Sequence, residues 1–295
     1  MDRLQLDKNA KLTGRVYFKD EVMWLGLSGS GASFTFDGTK LVLKLKGDNI
    51  AVGDNSIDYA RIAVYVDGKR VVDEMIDCAE KEVTVIDRTE NAQSVVEIIK
   101  LSESPMSAVG VEAFAEGSAE ALPEKPLKIE FIGDSITCGY GVDDEDENHQ
   151  FTTATEDVTK AYAYKTAKAL DAEYSMFSAS GYGIVSGYTE GDEPISEQTI
   201  PQFYCSYGFS RGNFAGTAPQ DISWDFSKYI PQIIVINLGT NDDSYCRDHK
   251  DRQAVFSKLY ADFLAVVREK NPQAYILCTV GIMGERIFPA VEEGI

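Results

Sequence analysis

A serine nucleophile is the first chemistry that the sequence suggests. Ser135 lies in residues 129–141, IEFIGDSITCGYG, where Gly-Asp-Ser directly follows an apolar run that predicts a buried strand. In open α/β sheets ligands bind beyond the carboxyl ends of the strands, so a serine on this turn would face the binding crevice. Asp134 and Ser135 would equally suit a turn that only caps the next helix, and for this motif alone that alternative stays open.

Two later turns favour catalysis over capping. Residues 177–185 (FSASGYGIV) and residues 235–243 (VINLGTNDD) also place small and polar side chains directly after apolar strands. Acyl transfer requires a nucleophile and convergent hydrogen-bond donors for the developing oxyanion. The N–H groups of Ser135 and Gly181 and the side-chain amide of Asn241 would supply three such donors. Each motif alone is weak, because Gly, Asn and Asp are common in turns, but together they predict an acyl-transfer site.

The three turns, GDSIT, SGYG and GTND, resemble the first three sequence blocks of the SGNH (GDSL-like) hydrolases. More narrowly, the chain resembles the second family of carbohydrate esterases, the acetyl xylan esterase-like enzymes that deacetylate plant polysaccharides. The segments that carry this resemblance run nearly from end to end and comprise residues 28–39, 64–68, 98–104, 129–141, 224–242 and 271–284.

The resemblance implies a role for each residue of the three turns. Ser135 would be the nucleophile; Ser135, Gly181 and Asn241 would form the oxyanion hole; and Asp134 would be structural, its carboxylate tying the turn. The implied reaction removes O-acetyl groups from plant polysaccharides or oligosaccharides such as xylan and glucomannan. It proceeds through an acetyl-serine intermediate and needs neither a metal nor a cofactor.

The general base is where the chain departs from the pattern. An SGNH hydrolase uses a histidine to take the serine proton, and in the family it lies a few tens of residues beyond the strand expected at 274–280. This sequence ends at Ile295 and contains only His149 and His249. Both are expected on the surface, with His249 the better candidate base because it follows GTND. We therefore expect a chain truncated before the catalytic histidine block, with weak or no esterase activity.

Strand patterns dominate the first hundred or so residues. The resemblance implies a β-sandwich (jelly roll), and we predict it over residues 1–120. Short apolar runs at residues 32–36, 41–45, 62–66, 83–86 and 95–101 are separated by turn residues. Asp67-Gly68 predicts a hairpin, because Gly tolerates positive φ. Residues 116–126, small, polar and proline-containing, are expected to form a linker.

Residues 127–295 are predicted to form an SGNH hydrolase domain, a three-layer α/β/α arrangement with a parallel sheet, incomplete at the C-terminus. Its pattern alternates strand and helix, which indicates a parallel sheet covered on both faces. Within it, residues 252–270 predict an amphipathic helix with an apolar stripe of Val255, Leu259, Phe263 and Val267. The remaining elements are expected at residues 127–132, 161–170, 174–177, 233–238 and 274–280.

The net charge of −20 argues against a nucleic-acid partner and against anionic membrane surfaces, whereas it suits a neutral partner such as an acetylated carbohydrate. The first 18 residues have no apolar stretch typical of a signal peptide, so a cytoplasmic protein is expected unless a leader was removed. The five cysteines form no CxxC pair, so neither a zinc site nor a disulfide framework is predicted.

Two other functions stay open. One is an SGNH lipase or thioesterase that acts on another acyl ester. The other is a non-catalytic carbohydrate-binding protein with a vestigial hydrolase part, which would explain the missing histidine. The β-sandwich is expected to brace the hydrolase domain rather than bind glycan. Trp224 is a candidate sugar contact, but a buried core position is the expected one for it.

Overall fold

The computed structural model of the chain describes residues 1–53 and 57–295. Two sheets organise these residues. The strands of the larger sheet are β1 (Asp2–Leu4), β2 (Lys11–Thr13), β3 (Val16–Lys19), β4 (Val22–Leu25), β5 (Gly31–Gly47), β6 (Ala60–Val66), β7 (Lys69–Ile76), β8 (Glu80–Lys100) and β9 (Val109–Ala121). The short helix α1 (Leu6–Asn9) precedes β2. These elements enclose one hydrophobic core, so the expected β-rich N-terminal region is confirmed.

The larger sheet runs in the order β3-β4-β9-β5-β8-β6-β7, with β1 beside β9 and β2 beside β5, and all its pairs are antiparallel. Asp67 and Gly68 form the β6–β7 turn with positive φ values of 51° and 77°, which confirms the predicted hairpin.

Two pairs of predicted strands are in fact continuous. The expected strands at 32–36 and 41–45 both belong to β5, and those at 83–86 and 95–101 fall almost entirely within β8. The intervening Gly38 produces a register shift instead of a turn. A Cβ on Gly38 would lie 2.3 Å from the Glu116 carbonyl oxygen, so only glycine lets the strands approach this closely.

The linker prediction for residues 116–126 is wrong in its first half. Residues 116–121 belong to β9 and pair with β5, with Gly117 opposite Gly38. Their small, polar composition reflects this close strand contact rather than a free segment. The division into residues 1–120 and 127–295 stays a prediction.

The second sheet is parallel throughout, in the order β11-β10-β12-β13. Its strands are β10 (Lys128–Gly133), β11 (Glu173–Ser178), β12 (Ile233–Asn237) and β13 (Tyr275–Thr279). The helices of this half are α2 (Ser135–Cys138), α3 (Tyr162–Ala169), α4 (Thr240–Cys246), α5 (Lys250–Lys270) and α6 (Phe288–Glu293). Short 3-10 helices occupy Thr153–Thr155, Val158–Lys160, Ile200–Gln202, Pro219–Asp221 and Phe226–Lys228.

The two faces of the parallel sheet pack against different partners. On one face, α3, Ile99 of β8 and Leu101 directly after β8 form one core with Phe131. On the other face, α5 and α6 pack against Ile234 and Ile236. This layering confirms the expected α/β fold class.

Helix α5 buries a different face from the one predicted. Phe263 and Val267 are buried, but Val255 and Leu259 are 50% and 38% exposed. The buried side chains are instead Gln253, Phe256, Ser257, Tyr260, Phe263 and Val267, a set with the helical spacing of three and four residues. An α-helix turns once every 3.6 residues, so residues spaced four apart move gradually around the helix. The predicted stripe therefore leaves the core face toward its N-terminal end. Within the described residues, no helix is long and apolar enough to span a bilayer.

Candidate active site

Three turns at the carboxyl ends of neighbouring parallel strands build the site. Ser135 begins α2 directly after β10, Gly181 follows β11, and Asn241 lies in the first turn of α4 after β12. Because β10 pairs with both β11 and β12, the serine turn occupies the middle position. This is the edge of a parallel sheet at which ligands commonly bind.

A cavity of about 800 Å³ opens at this edge, and Ser135, Gly181 and Asn241 all line it. The structure therefore brings together the three residues proposed for the nucleophile and the oxyanion hole. Aromatic and aliphatic side chains complete much of the remaining wall, among them Met106, Tyr140, Val142, Phe151, Tyr188, Ile282 and Met283.

Ser135 is half-buried, and its hydroxyl has no hydrogen-bond partner among the described residues. The preceding Asp134 is fully buried and caps α2, since its Oδ1 accepts the N–H of Ile136 at 3.0 Å. Burial raises the pKa of the Asp134 carboxyl to about 7, and the nearby negative charge of Asp242 adds to this shift. This hydrogen bond fixes the backbone conformation at Ser135.

Gly181 has a φ of +79°, a left-handed conformation that strongly favours glycine. Its carbonyl oxygen accepts the N–H of Tyr188 at 2.8 Å. Its own N–H meets no acceptor in residues 1–53 and 57–295 and is free for a ligand. This N–H is the group that the sequence proposes as the second oxyanion donor.

The side chain of Asn241 is held in one orientation. Its Nδ2 donates to the carbonyl oxygen of Tyr182 at 2.8 Å, which ties α4 to the loop that carries Gly181. An amide nitrogen carries two hydrogens, so one N–H remains for a ligand. Asn241 is otherwise buried, and its position is fixed before any substrate binds.

Asp242 is a site residue that sequence reasoning missed. This fully buried carboxylate accepts the backbone N–H groups of Ile184, Val185 and Ser186 at 2.6–3.1 Å and so fixes the loop after Gly181. Burial raises its pKa to about 6, although these hydrogen bonds act in the opposite direction. The signal for this role is the Asp that directly follows Gly-Thr-Asn at the end of the strand.

Neither histidine joins the site. His249 is exposed at the N-cap of α5 and does not line the cavity. His149 is also exposed, with its Nδ1 2.9 Å from Asp144 Oδ1 in the acidic loop. The carboxylate of Asp243 does line the cavity, but both its oxygens accept hydrogen bonds from the Arg286 guanidinium.

Trp224 does not reach the cavity. It is half-buried and lies over the guanidinium of Arg15, with 5.3 Å between that group and the ring centre. The expectation of a fully buried core tryptophan is therefore wrong in degree. The candidate role as a sugar contact finds no support in this position.

One group of side chains has the ligand types of a metal site. Atoms of Glu103, Cys138 and Glu156 lie within 4.8 Å of one another, and all three residues are fully buried. The buried Lys100 adjoins this group, since its Nζ donates to the carbonyl oxygens of Ser102 and Glu103. A lysine ammonium beside the carboxylates supplies the positive charge that a cation would otherwise bring, so these residues do not fit a metal well.

Comparison with known proteins agrees with this architecture. The profile of the GDSL-like lipase/acylhydrolase family matches residues 131–294, and that of the carbohydrate esterase 2 N-terminal region matches residues 12–126. The cellulase/esterase CelE of Acetivibrio thermocellus is 32% identical over 260 residues, which is 87% of this chain and 29% of CelE. An acetylxylan esterase/glucomannan deacetylase of Cellvibrio japonicus is 28% identical over 282 residues, covering 93% of this chain and 72% of that protein.

A solved structure gives the same picture. The family two carbohydrate esterase of Clostridium thermocellum, in complex with cellohexaose, superposes with a TM-score of 0.78 at 27% identity, covering 96% of this chain and 82% of that one. The chain thus spans less than a third of CelE but most of the other two proteins. The lipase/acylhydrolase profile covers more than half of the 295 residues. The chain therefore belongs to the GDSL-like lipase/acylhydrolase family and carries a carbohydrate esterase 2 N-terminal region.

Proposed function

We propose that the chain is a serine esterase that removes O-acetyl groups from plant polysaccharides or oligosaccharides such as xylan and glucomannan. The observation that carries this proposal is the shared cavity of Ser135, Gly181 and Asn241. The names of the relatives, acetylxylan esterase and glucomannan deacetylase among them, support the choice of an acetyl group on a plant glycan.

The proposed reaction follows from the donors around the serine. Ser135 Oγ attacks the acetyl carbonyl carbon, and the carbonyl oxygen becomes an oxyanion that faces the N–H groups of Ser135 and Gly181 and the free N–H of Asn241. Donors that are fixed in advance stabilise this charge without reorganisation cost. The C–O bond between the acetyl carbon and the sugar oxygen then breaks, and that oxygen takes up the proton that Ser135 lost, which releases the sugar hydroxyl. Water hydrolyses the acetyl-serine to acetate and free Ser135, so the cycle needs no cofactor.

The serine proton requires an acceptor. The described wall of the cavity contains no histidine, and its Asp243 is paired with Arg286. General acid–base catalysis by a positioned side chain typically contributes about 10²–10⁴-fold, so we expect turnover by the chain to be slow by at least that factor.

A carbohydrate partner also suits the surface of the cavity. Tyr140 and Phe151 stack with their ring centres 3.9 Å apart on the cavity wall, and Tyr188 is exposed beside the opening. Such rings offer flat apolar faces next to polar groups, the usual composition of a small-ligand site. We propose an acetylated carbohydrate as the partner, rather than a nucleic acid or a membrane, in keeping with the net charge of −20. The cytoplasmic location stays a prediction.

Acetate release tests the proposal. The chain is incubated with 4-nitrophenyl acetate and with acetylated xylan or glucomannan, beside the variants Ser135→Ala and Ser227→Ala. Ser227 is an exposed serine outside the cavity and serves as the matched control. We expect acetate release that Ser135→Ala lowers and Ser227→Ala leaves unchanged. Because no histidine lines the described wall, the loss in Ser135→Ala should be well below the about 10⁶-fold that a complete triad loses with its serine. Release that survives Ser135→Ala contradicts the proposal.

The absence of a histidine from the described wall also favours a second function, non-catalytic binding of carbohydrate. Calorimetric titration with xylo-oligosaccharides, together with labelling by a fluorophosphonate, separates the two. Oligosaccharide binding without acetate release or labelling of Ser135 indicates the binding protein. A preference for 4-nitrophenyl esters of longer acids over the acetate indicates a lipase-like or thioesterase-like enzyme instead.

A further inference from the structure

Glu103 connects the larger sheet to the candidate active site. It lies in the segment between β8 and β9 and is fully buried, far from Ser180 in the sequence. Nevertheless, its Oε2 accepts the backbone N–H of Ser180 at 2.5 Å. Ser180 directly precedes Gly181, and both residues line the cavity.

The backbone around Glu103 is held independently of this contact. Lys100 Nζ donates to the carbonyl oxygens of Ser102 and Glu103 at 2.6 and 3.0 Å, and the N–H of Glu103 donates to Glu156 Oε2 at 3.1 Å. Leu101 packs in the same core as strands of the parallel sheet. The carboxyl group of Glu103 is therefore a fixed acceptor rather than a mobile side chain.

The surroundings of the carboxyl group contain few other hydrogen-bond donors. The thiol of Cys138 is 3.8 Å from Oε2, whereas Oε1 is buried and without a partner among the described residues. Burial raises the pKa of the Glu103 carboxyl, and hydrogen bonding to Ser180 and the positive charges of Lys100 and Arg211 act in the opposite direction. The backbone N–H of Ser180 is thus the main group that Glu103 positions.

We propose that Glu103 is a positioning residue of the oxyanion hole: by holding the N–H of Ser180 in the protein interior, it directs the next N–H, that of Gly181, into the cavity. This inference rests on the proposed esterase function. The left-handed φ of +79° at Gly181 turns the chain between the two groups, so that the first N–H is bound inside while the second has no acceptor among the described residues.

The loop that carries Gly181 is consequently fastened on both sides. Asp242 accepts the N–H groups of residues 184–186, which follow Gly181, and Glu103 accepts the N–H of Ser180, which precedes it. Asp242 belongs to α4, which follows β12 of the parallel sheet, and Glu103 belongs to the segment that joins β8 and β9 of the larger sheet. The N-terminal region thereby contributes to the geometry of the site as well as to the apolar packing beneath it.

The test compares three variants of the whole chain: Glu103→Ala, Glu103→Gln and Glu112→Gln. Ala removes the acceptor, whereas Gln keeps an acceptor without the charge. Glu112 is a largely buried carboxylate of the same sheet that pairs with Arg3 and Lys46 and does not contact the loop, so it controls for general effects. Amide ¹H–¹⁵N spectra report the positions of the Ser180 and Gly181 N–H groups, and acetylation of Ser135 by 4-nitrophenyl acetate reports their effect.

We expect Glu103→Ala to slow acetylation by about 10²-fold, the loss typical of one oxyanion donor, with little change in KM. Glu103→Gln should recover part of this rate, and Glu112→Gln should react as the unmodified chain does. The Ser180 and Gly181 amide resonances should move in both Glu103 variants and stay in place in the control.

Unchanged amide resonances in Glu103→Gln and Glu103→Ala overturn the proposal, as does an unchanged acetylation rate when those resonances move. If Glu103→Ala does not fold, the amide spectrum and the acetylation rate of Glu103→Gln alone test the proposal. If the unmodified chain never acetylates Ser135, the esterase proposal fails by itself. The amide resonances then still decide whether Glu103 positions the loop.

Discussion

The two walls of the cavity are built in opposite ways. On the side of the three turns, the backbone is held by buried carboxylates: Asp134 caps the turn of Ser135, and Asp242 fixes the loop after Gly181. Other parts of the wall include exposed side chains. Ile282 is 94% exposed, Met283 is 72% exposed and Tyr188 is 55% exposed.

This difference indicates that the fixed donors serve the reaction and that the exposed side chains serve substrate binding. Stabilisation of an oxyanion requires donors that are fixed before the reaction, and buried hydrogen bonds provide that rigidity. Contact with a large glycan requires accessible surface, which exposed apolar and aromatic side chains provide. We therefore expect changes in the first wall to act on the reaction rate and changes in the second wall to act on substrate binding.

The largest effect should come from Asn241→Ala. This variant removes one proposed oxyanion donor and also the bond to the Tyr182 carbonyl oxygen, so we expect kcat for acetyl esters to fall by about 10²–10³-fold. Initial rates with 4-nitrophenyl acetate over a range of concentrations separate kcat from KM.

Ile282→Ala is the matched change in the exposed part of the wall. It should raise KM for acetylated oligosaccharides while kcat stays within about twofold, because its contacts act equally on substrate and transition state. If Ile282→Ala lowers kcat as much as Asn241→Ala does, the two walls do not differ in the way proposed.

A smaller effect, on stability, is expected for Asp242→Ala. The N–H groups of Ile184, Val185 and Ser186 would lose their acceptor, and groups left unpaired in the interior cost about 1–3 kcal/mol each before water enters. We expect the free energy of unfolding to fall by roughly 2–3 kcal/mol, measured by urea denaturation. Hydrogen exchange should accelerate at these three amides.

The neighbouring Asp243 provides the control. Its ion pair with Arg286 is partly exposed, and such pairs contribute about 0–1 kcal/mol. Asp243→Ala should therefore lower the free energy of unfolding by less than half of the loss expected for Asp242→Ala. Equal losses for the two aspartates would show that the loop does not depend on the buried one.

The pH dependence of stability should be opposite in sign to the usual carboxylate effect. The folded chain raises the pKa of Asp134 to about 7, so the folded state binds a proton that the unfolded state releases near pH 4. Stability should accordingly fall as the pH rises from about 4 to 7, with a slope of at most about 1.4 kcal/mol per pH unit from this group.

The isosteric variant Asp134→Asn isolates this contribution. It keeps a capping oxygen for the Ile136 N–H but cannot ionise, so the decline in melting temperature between pH 4 and 7 should become shallower. Part of the decline should remain, because burial also raises the pKa of Asp242 to about 6. An identical profile for both proteins would mean that Asp134 does not titrate in this range.

The features that the sequence predicted well are local. Gly-Asp-Ser, Ser-Gly-Tyr-Gly and Gly-Thr-Asn each follow an apolar strand within a few residues, and the hairpin at Asp67-Gly68 depends on two adjacent positions. A turn and the strand before it are specified by neighbouring residues. The parallel order of the strands then brings the three turns to one cavity.

The features that the sequence did not predict depend on contacts between distant residues. Glu103 and Ser180 are 77 residues apart and meet only in the folded chain. Ser180 belongs to the Ser-Gly-Tyr-Gly turn, but nothing in that motif indicates a contact with Glu103. The continuity of β5 through Gly38 depends on its close approach to Glu116 and Gly117. Likewise, the buried face of α5 is set by the position of the sheet and of α6, which hydrophobic spacing along one helix does not specify.

The smallest effect should come from His249→Ala. The imidazole is exposed at the N-cap of α5, makes no side-chain capping bond and does not line the cavity, so it contributes to neither wall. We expect rates with 4-nitrophenyl acetate within about twofold of the unmodified chain at every pH from 5 to 8, the range over which a histidine base ordinarily changes its charge. His149→Ala, another exposed histidine outside the cavity, should behave in the same way. A loss confined to His249→Ala and greater than about tenfold would identify it as the base. Such a result would also mean that α5 moves toward Ser135 during catalysis, and the wall of fixed donors could then no longer be treated as rigid.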